Sequence, residues 1–493
     1  MTTVQAPTLQ RLYELSPTAN AESRETLAAL YGHACAPVWN HPAGDRLQPD
    51  DVEQLAQFAN TLKANRGVRA SQPGESILAW AASRIAQSPL YRLRFGEDLS
   101  EHGLAQRWHE LPTTSREDVA MHADRLTPDD APLERMIIYR TAGTTGHALL
   151  VPQDALAVAC YLPLLNFALS RFDVDTQFAP GDIACFLVGS QRHTVTYPTV
   201  MAGWSGAGFC KLNLFAEEWP DANADSARTK YFEHFKPRIL TGDPLSFADM
   251  LDYGVGGAPR ALVTTAVAMS AALKEKLQRH YRCPVIDWYS LTETGPLGYA
   301  CPQGHGYHWL PHDVHLETLD GNGRPTTGIG EITVTGGRNP FIPLLRYRTG
   351  DYLDGGLTYA TCPRCGRQVP RLVGKISRSS AFKEVQLDKI KGTLVDFNEL
   401  EHVLDDAANI GAWQLELRKL HDDPLEVDEL VLHVQKTNGA DDDHLSHDLR
   451  TRLMTHCEIT PNRIEFHSAE QMRDLQGVGV QLKEQKLVDH RPK

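Results

Sequence analysis

The 493-residue sequence has no excess of basic charge and has few cysteines for its length. Lys and Arg number 49 against 62 Asp and Glu, giving a formal net charge of −13. Nonspecific nucleic-acid binding needs clustered cations, so we expect no nucleic-acid partner. Nine cysteines, with no secretory signal in the first residues, do not indicate a disulfide framework, and we expect a cytoplasmic protein.

Long apolar runs are also scarce. The most apolar window, residues 159–172, is shorter than a bilayer requires and contains Asn166 and Arg171, so we expect no membrane partner. No internal repeat or low-complexity tract stands out. A composition of 42% hydrophobic and 23% charged residues is ordinary for a globular protein with two or more cores.

The pattern along the chain changes twice. Up to about residue 95, apolar residues recur at helical spacing behind helix start signals. From about residue 134, short Val- and Ile-rich runs alternate with helical segments, which is typical of an α/β domain with mostly parallel sheets. A Gly- and Ser-rich break near 371–385 precedes a small α+β region. We predict an N-terminal domain over 1–375, with 1–85 as a helical extension, and a C-terminal domain over 376–493.

Three loops follow strand-like runs. The first, "TAGTTG" at 141–146, is rich in glycine and threonine, so its backbone N–H groups and hydroxyls could cradle a phosphate, and a bland turn is an equal alternative for this loop taken alone. It lacks the Lys of a Walker A loop. The others, "WYSLTETGP" at 288–296 and "RYRTGD" at 346–351, offer an aromatic plane, Glu293 for Mg²⁺ and Asp351 for ribose hydroxyls.

Each of these residues also has a plainer interpretation. Trp288 and Tyr289 could be core aromatics, Glu293 could cap a helix that follows it, and Asp351 could hold a turn. In order and spacing, however, these three motifs and "KEQKLVDHR" at 483–491 resemble the adenylate-forming (acyl/aryl-CoA synthetase, AMP-binding) superfamily, and specifically its phenylacetate-CoA ligase branch. The resemblance covers about residue 85 to the end.

The resemblance implies a large adenylation domain with a small mobile C-terminal lid. It also implies a reaction: a carboxylic acid, aromatic or small, attacks the α-phosphate of ATP to give an acyl-AMP and pyrophosphate, and a thiol then takes the acyl group. Coenzyme A or a carrier protein would supply that thiol. Transfer to an amine is the alternative within the enzyme class, and a noncatalytic nucleotide-binding relative is the alternative outside it. The resemblance also allows a homodimer.

Residue roles follow from the matched motifs. Tyr289 would stack on adenine, Thr292 would bind phosphate or acyl oxygen, and Glu293 would hold Mg²⁺. Lys483 would meet the charge that develops on the α-phosphate, with Lys486 as second choice. The remaining ATP-binding residues would be Thr141, Ala142, Gly143, Thr144, Thr145, Gly146, Ser290, Asp351 and Arg378.

A further signal comes from "CPQGHGYHWL" at 301–310 and "CPRCG" at 362–366. Cys362 and Cys365 form a zinc-knuckle pattern, and Cys301 with His308 or His305 could complete a Cys₃His set. Some members of the phenylacetate-CoA ligase branch carry such a set, and His308 fits its register better. Four protein ligands would make this a structural Zn²⁺. A redox C-x-x-C and unligated thiols are the alternatives.

The sequence departs from the family pattern at three places. His147 stands where Lys is common, "TTAVAMS" at 264–270 replaces the stretch that lines the acyl and adenine pocket, and Ser380 and Ala381 replace two acidic hinge residues. These departures leave the acid undefined and make domain rotation less secure.

Overall fold

We describe a computed structural model of the chain. It describes residues 6–64, 73–95, 100–140, 149–190, 194–220, 224–266, 269, 271–310, 312–378, 385–386, 394–395, 397–419, 428–437, 441–457, 459–479 and 484–491. The described residues up to Ile376 form one compact unit and those from residue 377 onward form a second.

Helices dominate the beginning of the first unit, as the apolar periodicity predicts. The helices α2, α6 and α7 begin at side-chain caps, and Ser115 and Asp118 form a reciprocal capping box at the start of α7. The helices of this unit are α1 (Leu9–Glu14), α2 (Ala21–Gly32), α3 (Pro49–Ala64), α4 (Glu75–Gln87), α5 (Pro89–Phe95), α6 (Glu101–Arg107), α7 (Arg116–Leu126), α8 (Ala155–Ala159), α9 (Tyr161–Leu169), α10 (Ala224–Phe235), α11 (Pro244–Asp252) and α12 (Ala271–Tyr281).

Strands become frequent after residue 135. They are β1 (Met136–Arg140), β2 (Leu150–Asp154), β3 (Ile183–Gly189), β4 (Tyr197–Met201), β5 (Ala207–Asn213), β6 (Ile239–Gly242), β7 (Ala261–Thr264), β8 (Val285–Leu291), β9 (Gly295–Ala300), β10 (Tyr307–Trp309), β11 (Val314–Leu319), β12 (Gly330–Gly336), β13 (Leu344–Leu353), β14 (Leu357–Thr358), β15 (Arg371–Leu372) and β16 (Ile376–Arg378). The α/β fold class is therefore confirmed.

The largest sheet has ten strands in the order β14-β15-β10-β9-β8-β7-β6-β3-β5-β4. The run from β5 through β3, β6 and β7 to β8 is parallel, and α11 and α12 connect its later strands. The pairs from β8 to β14 are antiparallel, as is the edge pair β4 and β5. The strands β11, β12 and β13 form a separate antiparallel sheet. The expectation of mostly parallel sheets therefore holds only for the centre of the large sheet.

The chain after Glu293 does not form a helix. Residues 292–294 make a turn, and β9 begins at Gly295 and pairs antiparallel with β8. Gly295 has φ of 72°, and a β-carbon there would lie 2.4 Å from the Tyr161 ring, so both the backbone and the space require glycine. The interpretation of Glu293 as a cap of a following helix is therefore wrong.

The stretch Ala155–Phe172 contains α8, α9 and a short 3-10 turn, and its length of 18 residues and its composition would suffice to cross a membrane. The sequence window considered above was shorter because it began at residue 159. Half of the stretch is buried, and Ala159, Leu164 and Leu169 lie in the main apolar core of the first unit. A helix in the core of a globular protein can have the same length and apolar composition, so one such stretch is weak evidence for a membrane span.

The second unit is a small α+β structure. Its described elements are β17 (Val385–Gln386), β18 (Leu394–Val395), α13 (Phe397–Asp405), β19 (Ile410–Lys419), β20 (Asp428–Lys436), α14 (Asp442–Cys457), β21 (Arg463–His467), α15 (Ala469–Leu475) and β22 (Leu487–Asp489). One four-stranded sheet has the order β21-β20-β19-β22, with β19 and β20 antiparallel and both outer pairs parallel.

The two faces of this sheet differ. Leu415, Leu432 and Val434 point to one face and form an apolar core with residues of α13 and α14. The alternate residues point to the other face, where α15 contacts the sheet and Gln414 Nε2 donates to the carbonyl of Leu475 at 2.8 Å.

Candidate active site

Glu293 lies in the turn between β8 and β9 and is only 5% exposed. Its Oε1 accepts from Arg116 Nη1 at 3.0 Å and from the hydroxyl of Tyr347 at 3.0 Å. Arg116 is the first residue of α7, and Tyr347 lies on β13. A helix, a turn and a strand that are far apart in sequence therefore converge on one buried carboxylate.

Asp351 is the second buried carboxylate, at 4% exposure. The hydroxyl of Tyr289 donates to its Oδ2 at 3.0 Å, and its own backbone N–H donates to Thr349 Oγ1 at 3.1 Å. Asp351 lies within β13 rather than in a turn after it. The structure therefore brings together the second and third sequence motifs, although the third lies within β13 and the second begins within β8 rather than after it.

The two aromatics of the second motif differ in environment. Trp288 is part of the main apolar core, as the plainer interpretation held. Tyr289 is half-buried, packs against a second apolar cluster and donates its hydroxyl to Asp351. The ring of Tyr307 lies edge-on to that of Tyr289, with centroids 6.3 Å apart. Burial raises the pKa of Asp287, and this effect is larger than the opposite one of the Tyr307 hydroxyl, which donates to that carboxyl and lowers its pKa.

Thr292 and Ser290 lie between Tyr289 and Glu293 in the sequence. Thr292 is exposed, and its carbonyl accepts from Gln153 Nε2 at 2.8 Å, so a buried amide on β2 holds the turn in place. Ser290 Oγ lies 3.1 Å from the hydroxyl of Thr265, in the segment that departs from the family pattern. Ala266, which follows, has φ of 73°, a left-handed backbone that is unusual for alanine.

A narrow cavity adjoins Glu293. Its lining includes Gln153, Cys160, Tyr161, Leu164 and His312. Burial lowers the pKa of His312 to about 3 and raises that of Tyr161, so both side chains are neutral at physiological pH. The cavity wall therefore combines apolar and neutral polar groups with two charged side chains, Glu293 and Arg338.

Several predicted site residues lie outside the described residues. They are Thr141, Ala142, Gly143, Thr144, Thr145, Gly146 and Lys483, together with the departures His147, Ser380 and Ala381. Arg378 is the last residue of β16, and its side chain is not among the described parts of the structure.

Lys486, the second choice for the catalytic lysine, is held within the second unit. Its Nζ lies 3.0 Å from Glu401 Oε1 and 3.0 Å from Asp405 Oδ1, and it stands over the Trp413 ring at 4.9 Å. Burial opposes the charge of Lys486, but the two carboxylates outweigh it and raise the pKa. These contacts give Lys486 a structural role in this unit.

The four residues Cys301, His308, Cys362 and Cys365 converge, with all ligand atoms within 4.8 Å of one another. The sulfurs of Cys301 and Cys362 are 4.0 Å apart, and Cys365 Sγ is 3.1 Å from His308 Nε2. Ligands around a tetrahedral zinc stand about 3.6–3.8 Å apart, so this donor set has a suitable size and chemistry. The choice of His308 over His305 agrees with this geometry.

The turn at Cys362 has the form of a knuckle. Gly366 N donates to the carbonyl of Cys362 at 3.0 Å, and the left-handed φ of 72° at Gly366 closes the turn. Burial acts to raise the pKa of Cys362, but backbone N–H groups of Cys365 and Arg364 donate to its sulfur and the pKa falls to about 7. Burial also lowers the pKa of His308 to about 4, which leaves a neutral imidazole.

Comparisons with known proteins bear on the fold. No family model matches the sequence, and no curated protein matches it. Solved structures with the same fold include those of an acid-CoA ligase in complex with acyl-adenylates. One is 2-hydroxyisobutyryl-CoA ligase in the postadenylation state with 2-HIB-AMP, at a TM-score of 0.60 and 16% identity over 85% of this chain and 89% of that chain.

Two further structures of that ligase give the same result. The complex with R3-HIB-AMP matches with a TM-score of 0.59 and 16% identity, covering 85% of this chain and 89% of that one. An open conformation with 2-HIB-AMP and CoA matches with a TM-score of 0.50 and 15% identity, covering 84% of this chain and 90% of the other. The predicted adenylate-forming fold is therefore confirmed at the level of the fold.

Proposed function

We propose that this protein is an ATP-dependent ligase that activates a carboxylic acid, aromatic or small, as an acyl-AMP and then transfers the acyl group to a thiol. An oxygen of the substrate carboxylate attacks the α-phosphorus of ATP, and the bond from that phosphorus to the bridging oxygen breaks, releasing pyrophosphate. The thiol of coenzyme A or of a carrier protein then displaces AMP from the acyl carbon. The cytoplasm is the proposed location.

The observation that carries this proposal is the convergence of Tyr289, Glu293 and Asp351 within a fold shared with acid-CoA ligases. These residues come from two motifs more than fifty positions apart. The strand β8 and the turn after it carry Tyr289 and Glu293, and β13 carries Asp351; both carboxylates are buried. Tyr289 donates its hydroxyl to Asp351, and its aromatic ring is of the kind that stacks on a base.

Each residue has a proposed role. Asp351 accepts from the ribose hydroxyls, with Arg378 assisting, and Tyr289 stacks on adenine. Glu293 is suited to Mg²⁺, because it is a buried carboxylate whose charge one guanidinium and one hydroxyl now offset. Bound Mg²⁺ would neutralise phosphate charge. Thr292, exposed beside it, donates to phosphate or acyl oxygen, and Ser290 contributes to the nucleotide site.

The glycine-rich loop of residues 141–146 cradles the β and γ phosphates in this proposal, and Lys483 donates to the oxygen on which charge develops. Both assignments rest on the motifs alone. Rotation of a mobile second unit would bring Lys483 to the phosphate for the first half-reaction.

The Cys₃His cluster is proposed to hold a structural Zn²⁺. Its support is the donor set, the mutual spacing within 4.8 Å and the knuckle turn at Cys362. The ion would tie the end of β9 to the segment after β14. The same cluster, together with the order of the motifs, supports placement in the phenylacetate-CoA ligase branch.

The cavity beside Glu293 offers apolar surface from Tyr161, Leu164 and Cys160 to the body of an acid. The guanidinium of Arg338 also lines it, so a cation is available there to a substrate carboxylate.

A panel of carboxylic acids tests the proposal through acid-dependent ATP–pyrophosphate exchange, with and without coenzyme A. We expect exchange with aromatic or small acids, and thioester formation when coenzyme A is added. Glu293→Gln should reduce exchange at least about a hundredfold, the scale of one lost transition-state contact. Glu233→Gln, an exposed residue of α10, is the matched control and should leave exchange unchanged.

Other outcomes separate the alternatives. Exchange without thioester, but with amide formed from added amines, would assign an amine acceptor. ATP binding without exchange across the whole panel would contradict an enzyme and favour a noncatalytic nucleotide-binding protein.

A further inference from the structure

A second cluster of ligand-type side chains lies in the second unit, on the face of the sheet opposite its apolar core. His433 is on β20, and Glu465 and His467 are on the neighbouring parallel strand β21. His433 is directly beside Glu465 in the register, and His467 is two positions further on. Alternation along both strands therefore puts the three side chains on one face, side by side.

The ligand atoms form a compact triangle. His433 Nδ1 is 2.9 Å from His467 Nε2 and 3.6 Å from Glu465 Oε2, and His467 Nε2 is 3.9 Å from the same oxygen. Zinc binds imidazole nitrogen and carboxylate oxygen at about 2.0–2.1 Å, so tetrahedral ligands stand about 3.4 Å apart. The three observed separations bracket that value, so an ion could sit on this triangle with small adjustments.

The groups behind the triangle are those that a metal site requires. The other ring nitrogen of His433, Nε2, lies 2.9 Å from Glu416 Oε2, so the carboxylate favours the tautomer with hydrogen on Nε2 and a lone pair on Nδ1 that faces His467 and Glu465. Glu465 uses its other oxygen, Oε1, for Arg463 at 2.8 Å and keeps Oε2 toward the histidines. A carboxylate–histidine–metal relay is the common form of such second contacts.

Exposure differs across the cluster in a useful way. The side chain of His433 is 7% exposed, that of His467 is 17% exposed and that of Glu465 is 36% exposed. One ligand is therefore rigidly buried, while the other two reach the surface, where an ion and its remaining water ligand can enter. The nearby charges are also mixed, with Arg418 and His490 within 4.0 Å of Glu416.

We propose that His433, Glu465 and His467 form a binding site for a zinc ion, with the fourth position open to water. Two imidazoles and one carboxylate suit a first-row transition metal rather than Mg²⁺ or Ca²⁺. The ion would link β20 to the edge strand β21 and so fasten the edge of this sheet. The site is separate from the cysteine cluster and uses no residue assigned to adenylation.

Metal binding by the full-length chain tests this site. The protein is stripped with a chelator and titrated with Zn²⁺, and bound zinc is counted after removal of the free ion. His467→Ala should bind one equivalent less than the original protein, and Glu465→Gln should lose the same equivalent. His447→Ala, an exposed histidine on α14, is the matched control and should bind as many ions as the original protein.

Cobalt distinguishes this site from the cysteine cluster. Co²⁺ bound to thiolates gives an intense sulfur-to-metal charge-transfer band, whereas Co²⁺ at two imidazoles and a carboxylate does not. The equivalent lost in His467→Ala should therefore be one that adds no charge-transfer band. A zinc count that is unchanged in His467→Ala would overturn the proposal and leave the two histidines as a simple hydrogen-bonded pair.

Glu416→Gln gives an independent and graded result. All three ligands remain, so the ion should still bind, but zinc affinity at this site should fall by about 10- to 100-fold, the usual cost of losing a carboxylate behind a ligating histidine. Circular dichroism and the Tm of the metal-free variants establish that each is folded. Unchanged affinity in folded Glu416→Gln would contradict the proposal that this carboxylate supports a metal-binding His433.

Discussion

The hydroxyl of Tyr289 donates to Oδ2 of Asp351 at 3.0 Å, although the two residues are 62 positions apart in the sequence. The contact joins β8 to β13 and therefore one sheet of the first unit to another. A buried carboxylate with one oxygen fixed in this way has a defined orientation for its other oxygen. If ribose binds Asp351, Tyr289 serves the nucleotide twice, through its ring and through its hydroxyl.

Tyr289→Phe keeps the ring and removes only this hydrogen bond. A bond to a charged acceptor contributes about 1.5–3 kcal/mol, so we expect KM for ATP to rise roughly tenfold or more while kcat changes little. Steady-state kinetics with varied ATP measures the change. Tyr352→Phe is the control, because Tyr352 lies on the same strand but contacts Glu331, and its KM should stay near the original. An unchanged KM in Tyr289→Phe would mean that the hydroxyl has no part in nucleotide binding.

Arg116 and Glu293 form the second long-range pair, and a divalent cation at Glu293 must compete with this guanidinium. Arg116 is about one-third exposed, and such a pair contributes about 0.5–1 kcal/mol. Arg116→Gln should therefore lower the Mg²⁺ concentration needed for half-maximal exchange by roughly two- to fivefold. The exchange assay with varied Mg²⁺ measures it.

Arg125→Gln, an exposed residue of the same helix, controls for the change of net charge and should leave the Mg²⁺ requirement unchanged. A higher Mg²⁺ requirement in Arg116→Gln would count against competition and would indicate that Arg116 itself binds phosphate.

The cysteine cluster predicts a metal-dependent stability. Cys362→Ser should remove about one equivalent of tightly bound zinc and lower the Tm by roughly 5 °C or more, because a structural ion contributes folding free energy directly. Cys35→Ser, a partly buried cysteine outside the cluster, should retain the zinc. Elemental analysis and thermal denaturation give both values. Less than half an equivalent of zinc in the original protein would favour unligated thiols.

Much of the fold could be predicted from the sequence because its signals are local. The helices α2, α3 and α4 and the strands β3, β6, β20 and β21 follow from apolar periodicity and from Gly and Pro at their ends. The motifs themselves were informative, although the third lies within β13 and the second begins within β8 rather than after a strand. The antiparallel half of the large sheet was missed, since short strands such as β10, β14 and β15 carry too few residues for a pattern.

The residues of the candidate site that the sequence did not predict depend on contacts between distant parts of the chain. Arg116 lies 177 positions from Glu293, and Gln153 lies 139 positions from Thr292, so no spacing rule connects them. Tyr347 lies inside the third motif, but the sequence does not indicate that its hydroxyl donates to Glu293. The His433 cluster had a local hint, since Glu465 and His467 share a strand face, yet its third member requires the parallel register of β20 and β21.

The two candidate lysines of the C-terminal motif predict opposite phenotypes. Lys483→Ala should slow acid-dependent pyrophosphate exchange at least about a hundredfold, the scale lost with one transition-state donor, and should leave the Tm unchanged. Lys486→Ala should instead lower stability by about 2 kcal/mol, because it removes a largely buried cation from Glu401 and Asp405. Exchange and thermal denaturation on both variants provide the measurement.

The contribution of Lys486 to folding stability should depend on pH in a definite direction. The carboxylates raise the pKa of Lys486 above its ordinary value of 10.5, so folding favours the protonated amine. The contribution is therefore fully present at neutral pH and is lost as pH rises above about 10.5 and through the raised pKa. The Tm difference between the original protein and Lys486→Ala should be constant from pH 7 to 9. It should shrink as the pH rises above about 10.5. Normal exchange in Lys483→Ala, with exchange abolished in folded Lys486→Ala, would reverse the two roles.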